Sequence, residues 1–405
     1  MLYELKKGNV PTFNDMNNSN KKAIKSIILC SSNYPTETDS VCPFVEQIVN
    51  ALSLKGIKVT VVAPQSIVKH WLRGTELHPK KRVYTYQNGL PITVYQPTVL
   101  SFGGRFERWN SIMRDKAVYR TLKKNRVKAD ICYGHFWHHA FSLYKYAKKN
   151  TIPLFAVSGE AHISCHEIKK PYELAPFIDY VKGLICVSNK NRDESLEVGL
   201  LIDEGKCKVI PNAIDNTLFR VLDKQSLREK HGIRDEDFVV AFTGWYDHNK
   251  GVMRVSDAIK KIGDSNIKSF FIGDGRDGDG LQPDCDGILH KGRLAHEKIP
   301  EYLNMADVFV LPTLAEGCNN AIIEAMACGL PIISSNRSFN WDVLNEKNSI
   351  LVDPMNVDEI ASAIKTLKEN KKKRDAMSRV VLETAAGLTI DKRAEKIISF
   401  IESRI

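Results

Sequence analysis

The chain has 405 residues, 43% of them hydrophobic and 26% charged, a length that suits two α/β domains and the profile of a soluble globular protein. No apolar run approaches the roughly eighteen residues of a membrane span, and nine cysteines without a C-x-x-C pair argue against zinc or disulfides and for buried thiols in a reducing compartment. The net charge of +10 is uneven: thirteen Lys and Arg face three Asp and Glu between Gln65 and Arg126, and the rest is balanced, so a basic patch in the first half expects an anionic partner.

In chain order, residues 1–22 are polar and Asn-rich; without the apolar core of a signal peptide they read as a loose extension of a cytoplasmic protein. Short runs rich in Ile and Val follow, beginning with SIILC (26–30) and KVTVVAP (58–64). Inside the basic region, RFERWNSIMRDKAVYRTLKKNR predicts a helix with Phe106, Trp109, Met113 and Ala117 along one face and cations over much of the rest. It is either an ordinary surface helix packed on the first sheet or a face that meets anionic lipid head groups. The strand series resumes with ADICYG (129–134), PLFAVS (153–158), GLICVS (183–188) and CKVIP (207–211). It restarts after VIPNAIDNTLF (209–219) with DFVVAFTG (237–244), SFFIGDG (269–275), GILHKG (287–292), VFVLPT (308–313), PIISS (331–335) and ILVDP (350–354).

Continuous apolar strands are buried on both faces, and their alternation with helices predicts two doubly wound, Rossmann-like α/β units with parallel sheets. The expected division is 23–210, then 211–385, with 386–405 a helix returning to the first domain. Ligands of such sheets bind outside the carboxyl ends of the strands, so two facing domains make a central cleft there.

The most informative stretch is VFVLPTLAEGCNNAIIEAMACGLPIISS. A strand ends at Pro312, and a loop carries Glu316 and Gly317. A helix then starts with Asn319 or Asn320 as its cap and stops at Gly329. Amides from Cys318 to Ala321 and the positive helix end can hold a phosphate or sugar hydroxyls. Glu316 sits just outside that end and Glu324 one turn inside, so both can face one extended ligand. From spacing alone they are equally a solvated acid and a helix-dipole partner.

EGCNNAIIEAMACGLPII resembles the E-x7-E signature of the retaining GT-B glycosyltransferases, the bacterial group 1 family (glycosyltransferase family four). The likeness extends to GWYDHNKG with Lys250 and Gly251, FIGDG (271–275), HKGR (290–293) and VIPNAID (209–215), from about Ile27 to the C-terminus. It implies a nucleotide-sugar donor, UDP- or GDP-linked, and a glycan or lipid-linked acceptor in capsule or envelope polysaccharide assembly. By this resemblance Glu324 binds the donor ribose and Glu316 the transferred sugar near its leaving bond. Backbone amides of Gly317, Cys318, Asn319 and Asn320 bind sugar hydroxyls and diphosphate, and Lys250 neutralises the departing diphosphate. Gly275 belongs to the glycine turn beside the pyrophosphate and Arg293 to the base-side turn. A fixed cation and helix dipole at that point act on the transition state, where charge builds on the phosphate.

Three departures stand out. Trp245 follows Gly244 where the family has Arg, so a phosphate cation is missing or comes from Arg254 or Arg293. Cys42 and Pro43 replace glycine in the loop NYPTETDSVCPFVEQIVNAL (33–52). Ser158 stands where the family histidine would fall, leaving His162, His135 or Glu160 to replace it; His162 is the candidate taken as catalytic. No Asp-x-Asp stands in a site-like loop, so no cofactor and no essential metal are expected. Two other readings compete: an epimerase or other GT-B enzyme, and a basic module that binds membrane without catalysis. Nucleic acid is not an expected partner, because stacking aromatics and a known nucleic-acid fold are missing. Residues 65–126 could instead hold the protein peripherally on the inner leaflet.

Overall fold

A computed structural model describes residues 23–36, 43–102, 104–275 and 280–405; the extension 1–22 and Cys42 lie outside them. The first half contributes β1 (Ser26–Cys30), β2 (Lys58–Val62), β3 (Gln65–Ser66), β4 (Lys81–Tyr84), β5 (Ile92–Tyr95), β6 (Thr98–Val99), β7 (Ile131–His135), β8 (Leu154–Ser158), β9 (Val181–Cys186) and β10 (Cys207–Val209). The second contributes β11 (Phe238–Thr243), β12 (Ile267–Ile272), β13 (Ile288–Gly292), β14 (Val308–Leu311), β15 (Ile332–Ser335) and β16 (Ser349–Val352).

An eight-stranded sheet runs β10-β9-β8-β7-β1-β2-β5-β4, parallel except for β4 at its edge. A six-stranded parallel sheet runs β13-β12-β11-β14-β15-β16. This is the doubly wound α/β arrangement that the apolar runs predict. The pair β4–β5 was not foreseen: KRVY and ITVY lie in the basic stretch, and Lys81 and Arg82 mask the edge strand's alternation.

Alternation along β1 explains how both faces of the first sheet are covered. Ile27 and Leu29 meet helices Pro43–Leu54 and Ile390–Glu402 through Val49, Ile397 and Ile401. Ile28 and Cys30 meet helices Glu107–Lys124 and Trp137–Lys149 through Val118, Leu122, Ala140 and Leu143. The last helix crosses from the second sheet after Thr389, which pairs with Ile214, and Glu402 accepts from the Ile24 amide at 3.0 Å.

The Glu107–Lys124 helix forms where predicted but turns its other side inward. Ser111, Val118 and Leu122 are buried while Phe106 and Trp109 are exposed. Residues 111, 118 and 122 share a stripe, and the β-branched and leucine side chains on it fit the sheet surface. All cysteines among the described residues are free thiols, and only Cys207 is less than buried.

Candidate active site

A cavity of about 390 Å³ opens where the carboxyl ends of the two sheets face each other. On the first side are Phe44, His135, Phe136, Gly159 and Val187, which follow β1, β7, β8 and β9; on the second are Trp245, Lys250, Glu316, Cys318, Asn319 and Asn320. Asn212, from the crossover between the halves, closes one edge.

Glu316 is held through one oxygen. Its Oε1 accepts from the Lys250 ammonium, from Thr313 Oγ1 at 3.1 Å and from Asn319 Nδ2 at 3.1 Å. Oε2 takes no hydrogen bond from the described residues. The two loops that bring Lys250 and Glu316 together are stitched by the Leu314 amide on Asn249 O at 2.8 Å and by Asn249 Nδ2 on Ala315 O at 3.1 Å.

Asn319 is the cap of helix Asn320–Ala327, its Oδ1 accepting from the Ala321 amide at 2.9 Å. Among the described residues nothing accepts from the amides of Gly317, Cys318, Asn319 or Asn320. Buried Asn320 Oδ1 and His135 Nδ1 likewise lack partners there. Unsatisfied groups gathered on one cavity are uncommon in folded proteins and point to a ligand. Gly317 itself is required by the first half: a Cβ there would lie 2.3 Å from Gly159 O.

Glu324 lies one turn further in, beyond the lining of this cavity. Its Oε1 meets His296 Nε2 at 3.4 Å, and this hydrogen bond raises the imidazole pKa above its usual value. The His296 ring rests edge-on to Phe219. Arg293 reaches the site only through Trp245, lying over that ring at 5.3 Å while pairing with Asp274 at 3.2 Å. Gly275 sits beside them, bridged to Tyr246. Gly273 is the glycine of that turn with no room for a side chain, since a Cβ would fall 1.9 Å from Gly244 O.

Several expected residues are elsewhere. His162 is exposed and paired with Glu167 at 2.8 Å and Glu194 at 3.3 Å, outside the cavity. Glu160 is instead drawn inward onto the start of the preceding Trp137–Lys149 helix: it accepts from the Trp137 amide at 3.1 Å, the Gly159 amide at 2.9 Å and Ser158 Oγ at 3.0 Å, and the residues after it turn outward. Burial raises the Glu160 pKa. The histidine at the cavity is His135, whose pKa burial pushes down to about 3. Arg254 is buried and donates to His248 O at 2.9 Å and Pro312 O at 2.8 Å, so it braces the Lys250 loop rather than facing a phosphate.

Three contributors escaped the sequence reading. Phe136 lines the cavity with φ 84° and ψ 155°, a region almost confined to glycine that costs about 1–3 kcal/mol. His296 carries no local signal beyond its nearness to HKGR. Arg393, on the last helix, donates to Asn212 Oδ1 at 2.5 Å, and Asn212 Nδ2 donates to Cys318 O at 2.9 Å. That chain ties helix, crossover and Glu316 loop together. No group of His, Cys, Asp or Glu among the described residues is arranged to hold a metal, and no helix among them is long and apolar enough to cross a membrane.

Two family descriptions match nearly end to end: "Glycosyltransferase Family 4" over residues 44–218 and "Glycosyl transferases group 1" over 223–381. TuaC of Bacillus subtilis, a glycosyltransferase named for teichuronic acid biosynthesis, is 24% identical over 79% of this chain and 83% of its own. The UDP-Gal:alpha-D-GlcNAc-diphosphoundecaprenol alpha-1,3-galactosyltransferase of Escherichia coli is 31% identical over 53% of this chain and 58% of its own. Among solved structures, HepE of Anabaena in complex with UDP and glucose superposes with a TM-score of 0.68 at 17% identity, covering 94% of this chain and 100% of that one.

Proposed function

This chain belongs to the group 1 glycosyltransferases of GT-B fold, and from that premise we propose that it moves a hexose, with retention, from UDP-hexose to a lipid-linked glycan acceptor in envelope polysaccharide assembly. The observation that carries the reading is the convergence on one cavity between the sheets of Lys250, Glu316 and the amides of Cys318, Asn319 and Asn320, which have no acceptor among the described residues. The choice of UDP follows the donor in the E. coli relative's name and the HepE complexes.

The diphosphate of the donor binds the amides of Gly317 to Asn320 at the helix end and draws the Lys250 ammonium from Glu316. Glu316 is then free to hold the transferred sugar through Oε2. Glu324, steadied by His296, takes the ribose. As the glycosidic bond breaks, charge grows on the β-phosphate, where Lys250 and the helix end stabilise it. His135 stays neutral and serves as a hydrogen-bonding partner of sugar or acceptor, in place of the histidine expected at Ser158. Glu316 is the one carboxylate among the described lining residues, and once it holds the sugar no second carboxylate among those residues is left as a base on the opposite face. That favours departure and attack on one face of the sugar.

A lipid-linked acceptor suits the rim of the first sheet. Exposed Trp71, Leu72, Phe102, Phe106 and Trp109 emerge beyond the carboxyl ends of β2 and β5, and Ser101 Oγ on Ser66 Oγ at 2.6 Å ties the two segments. In the sheet, β2 and β5 stand two and three strands from β7, the strand that presents His135. Calorimetry with UDP- and GDP-hexoses, followed by NMR of the anomeric linkage formed on an undecaprenyl-diphosphate sugar, tests the proposal. An inverted linkage, or binding of GDP but not UDP, would overturn it.

A further inference from the structure

We infer that a groove between helices Glu107–Lys124 and Trp137–Lys149, remote from the donor cavity, binds a stretch of acidic glycan: a saccharide chain bearing carboxylates or phosphates. The choice of a glycan rests on the function proposed above; the groove and its charge do not.

The groove holds a cavity of about 880 Å³, more than twice the size of the donor cavity. Lys116, Arg120 and Lys123 line it from one helix at successive turns, and Lys145, Lys148 and Lys149 from the other. Among the described residues none of the six forms an ion pair, although two carboxylates stand in the same wall. Both carboxylates are already taken. Asp115 is held by Lys169 Nζ at 2.5 Å and Ser142 Oγ at 2.6 Å. Glu173 is held by Arg108 at 3.1 Å and by the Lys170 amide at 2.9 Å. A second cavity of about 550 Å³ shares Tyr119, Lys123 and Lys149 and adds Arg126 and Lys128. Cations kept this close without counter-charge repel one another, and a bound polyanion relieves that repulsion.

Shape and floor select among polyanions. Lys116 to Lys123 spans about 10 Å of helix axis, so the charge is spread along a track rather than focused on one phosphate. The ring faces are occupied: Lys145 Nζ lies 5.0 Å over Tyr119, and Lys148 Nζ lies 5.5 Å over Tyr144 with its hydroxyl at 3.1 Å. Bases of single-stranded nucleic acid would find no stacking platform there. A concave groove also keeps its cations from lying flat on a bilayer, unlike the protruding aromatic rim. A glycan needs neither stacking nor a flat face. The Glu107–Lys124 helix follows the loop beyond the carboxyl ends of β5 and β6 and ends before β7 begins, so it runs back from the carboxyl-end side of the sheet, and a chain growing on that side can follow it into the groove.

The probe is a labelled oligogalacturonate, followed by fluorescence anisotropy on the full chain at low and high salt, with dextran of equal length as the neutral control. The native protein should bind oligogalacturonate, lose affinity as salt rises, and ignore dextran. Lys116→Ser, Arg120→Ser, Lys123→Ser and Lys148→Ser combined should weaken binding by about tenfold or more, whereas Lys69→Ser with Arg105→Ser should not. UDP affinity, read in parallel, should be the same in all three proteins. If the native protein binds UDP yet fails to bind oligogalacturonate at low salt, or if the groove variant binds it as the native does, the groove inference is wrong and the donor reading stands. Groove-dependent binding of single-stranded DNA or of phosphatidylglycerol vesicles in preference to oligogalacturonate refutes it as well. Failure to bind any nucleotide sugar counts against the donor reading alone.

Discussion

Gly317→Ala isolates the seam between the two halves. The added Cβ would sit 2.3 Å from Gly159 O and 2.7 Å from Gly159 C, where an ordinary contact needs about 3.5 Å. The neighbours are backbone, so no side chain can swing aside, and the seam must widen by about 1 Å. Overpacking of this kind costs about 1–3 kcal/mol, and relief comes from opening the cleft rather than from unfolding either sheet. The closed, reactive arrangement should therefore be depopulated about 5- to 150-fold, with kcat/KM on the full reaction falling by that factor. UDP affinity by calorimetry should barely move, because its proposed contacts lie within the second half. Thermal stability should drop by a few degrees at most. Unchanged kcat/KM would mean that Gly317 and Gly159 do not touch during turnover, and a variant that fails to fold would place the strain in the core instead.

Glu324→Ala should weaken UDP and UDP-hexose binding alike, whereas Glu316→Ala should leave UDP binding largely intact and lower turnover; equal losses of nucleotide and full donor in Glu316→Ala would refute that division. The raised His296 pKa makes its pairing with Glu324 stabilising below 6.5 and lost as pH rises through the higher folded value, so the Tm advantage of native protein over His296→Gln should shrink with rising pH, and a constant difference would refute the pairing. EDTA should leave transfer nearly unchanged, because Lys250 and the Asn320 helix stand at the diphosphate; activity abolished by EDTA and restored by manganese or magnesium would contradict this. Trp71→Ser with Trp109→Ser should reduce sedimentation with anionic vesicles and activity on a lipid-linked acceptor while sparing slow donor hydrolysis, and undiminished vesicle binding would remove the rim from the acceptor side.

The doubly wound architecture was legible because Ile- and Val-rich runs such as SIILC and VFVLPT are strands buried on both faces, whatever lies next to them. β4 was not legible, since an edge strand carrying Lys81 and Arg82 has half its surface in water, and β5 was missed with it, although it lies inside the sheet and is mostly buried. Which face the Glu107–Lys124 helix turns inward was not legible either: Phe106 and Trp109 mark an apolar stripe in the sequence, yet Ser111, Val118 and Leu122 are the residues buried. The charge between Gln65 and Arg126 was plain in the sequence, but its separation into an aromatic rim and a cationic groove depends on Lys145, Lys148 and Lys149, which lie outside that stretch.

The sequence by itself determined what depends on a few neighbouring positions. These are an asparagine cap at position 319 or 320, which the structure places at Asn319, the left-handed Gly329 at φ 81° and the two carboxylates on either side of one helix start. Capping and turn chemistry are settled within a few residues, so they survive in a string of letters. Tertiary structure alone decided that Lys250 meets Glu316 across 66 positions, that Arg393 reaches Asn212 across 181, and that His135 rather than His162 stands at the cavity. Each of those follows from how two sheets and their connections pack, and contacts between residues far apart in the chain leave no periodicity to read.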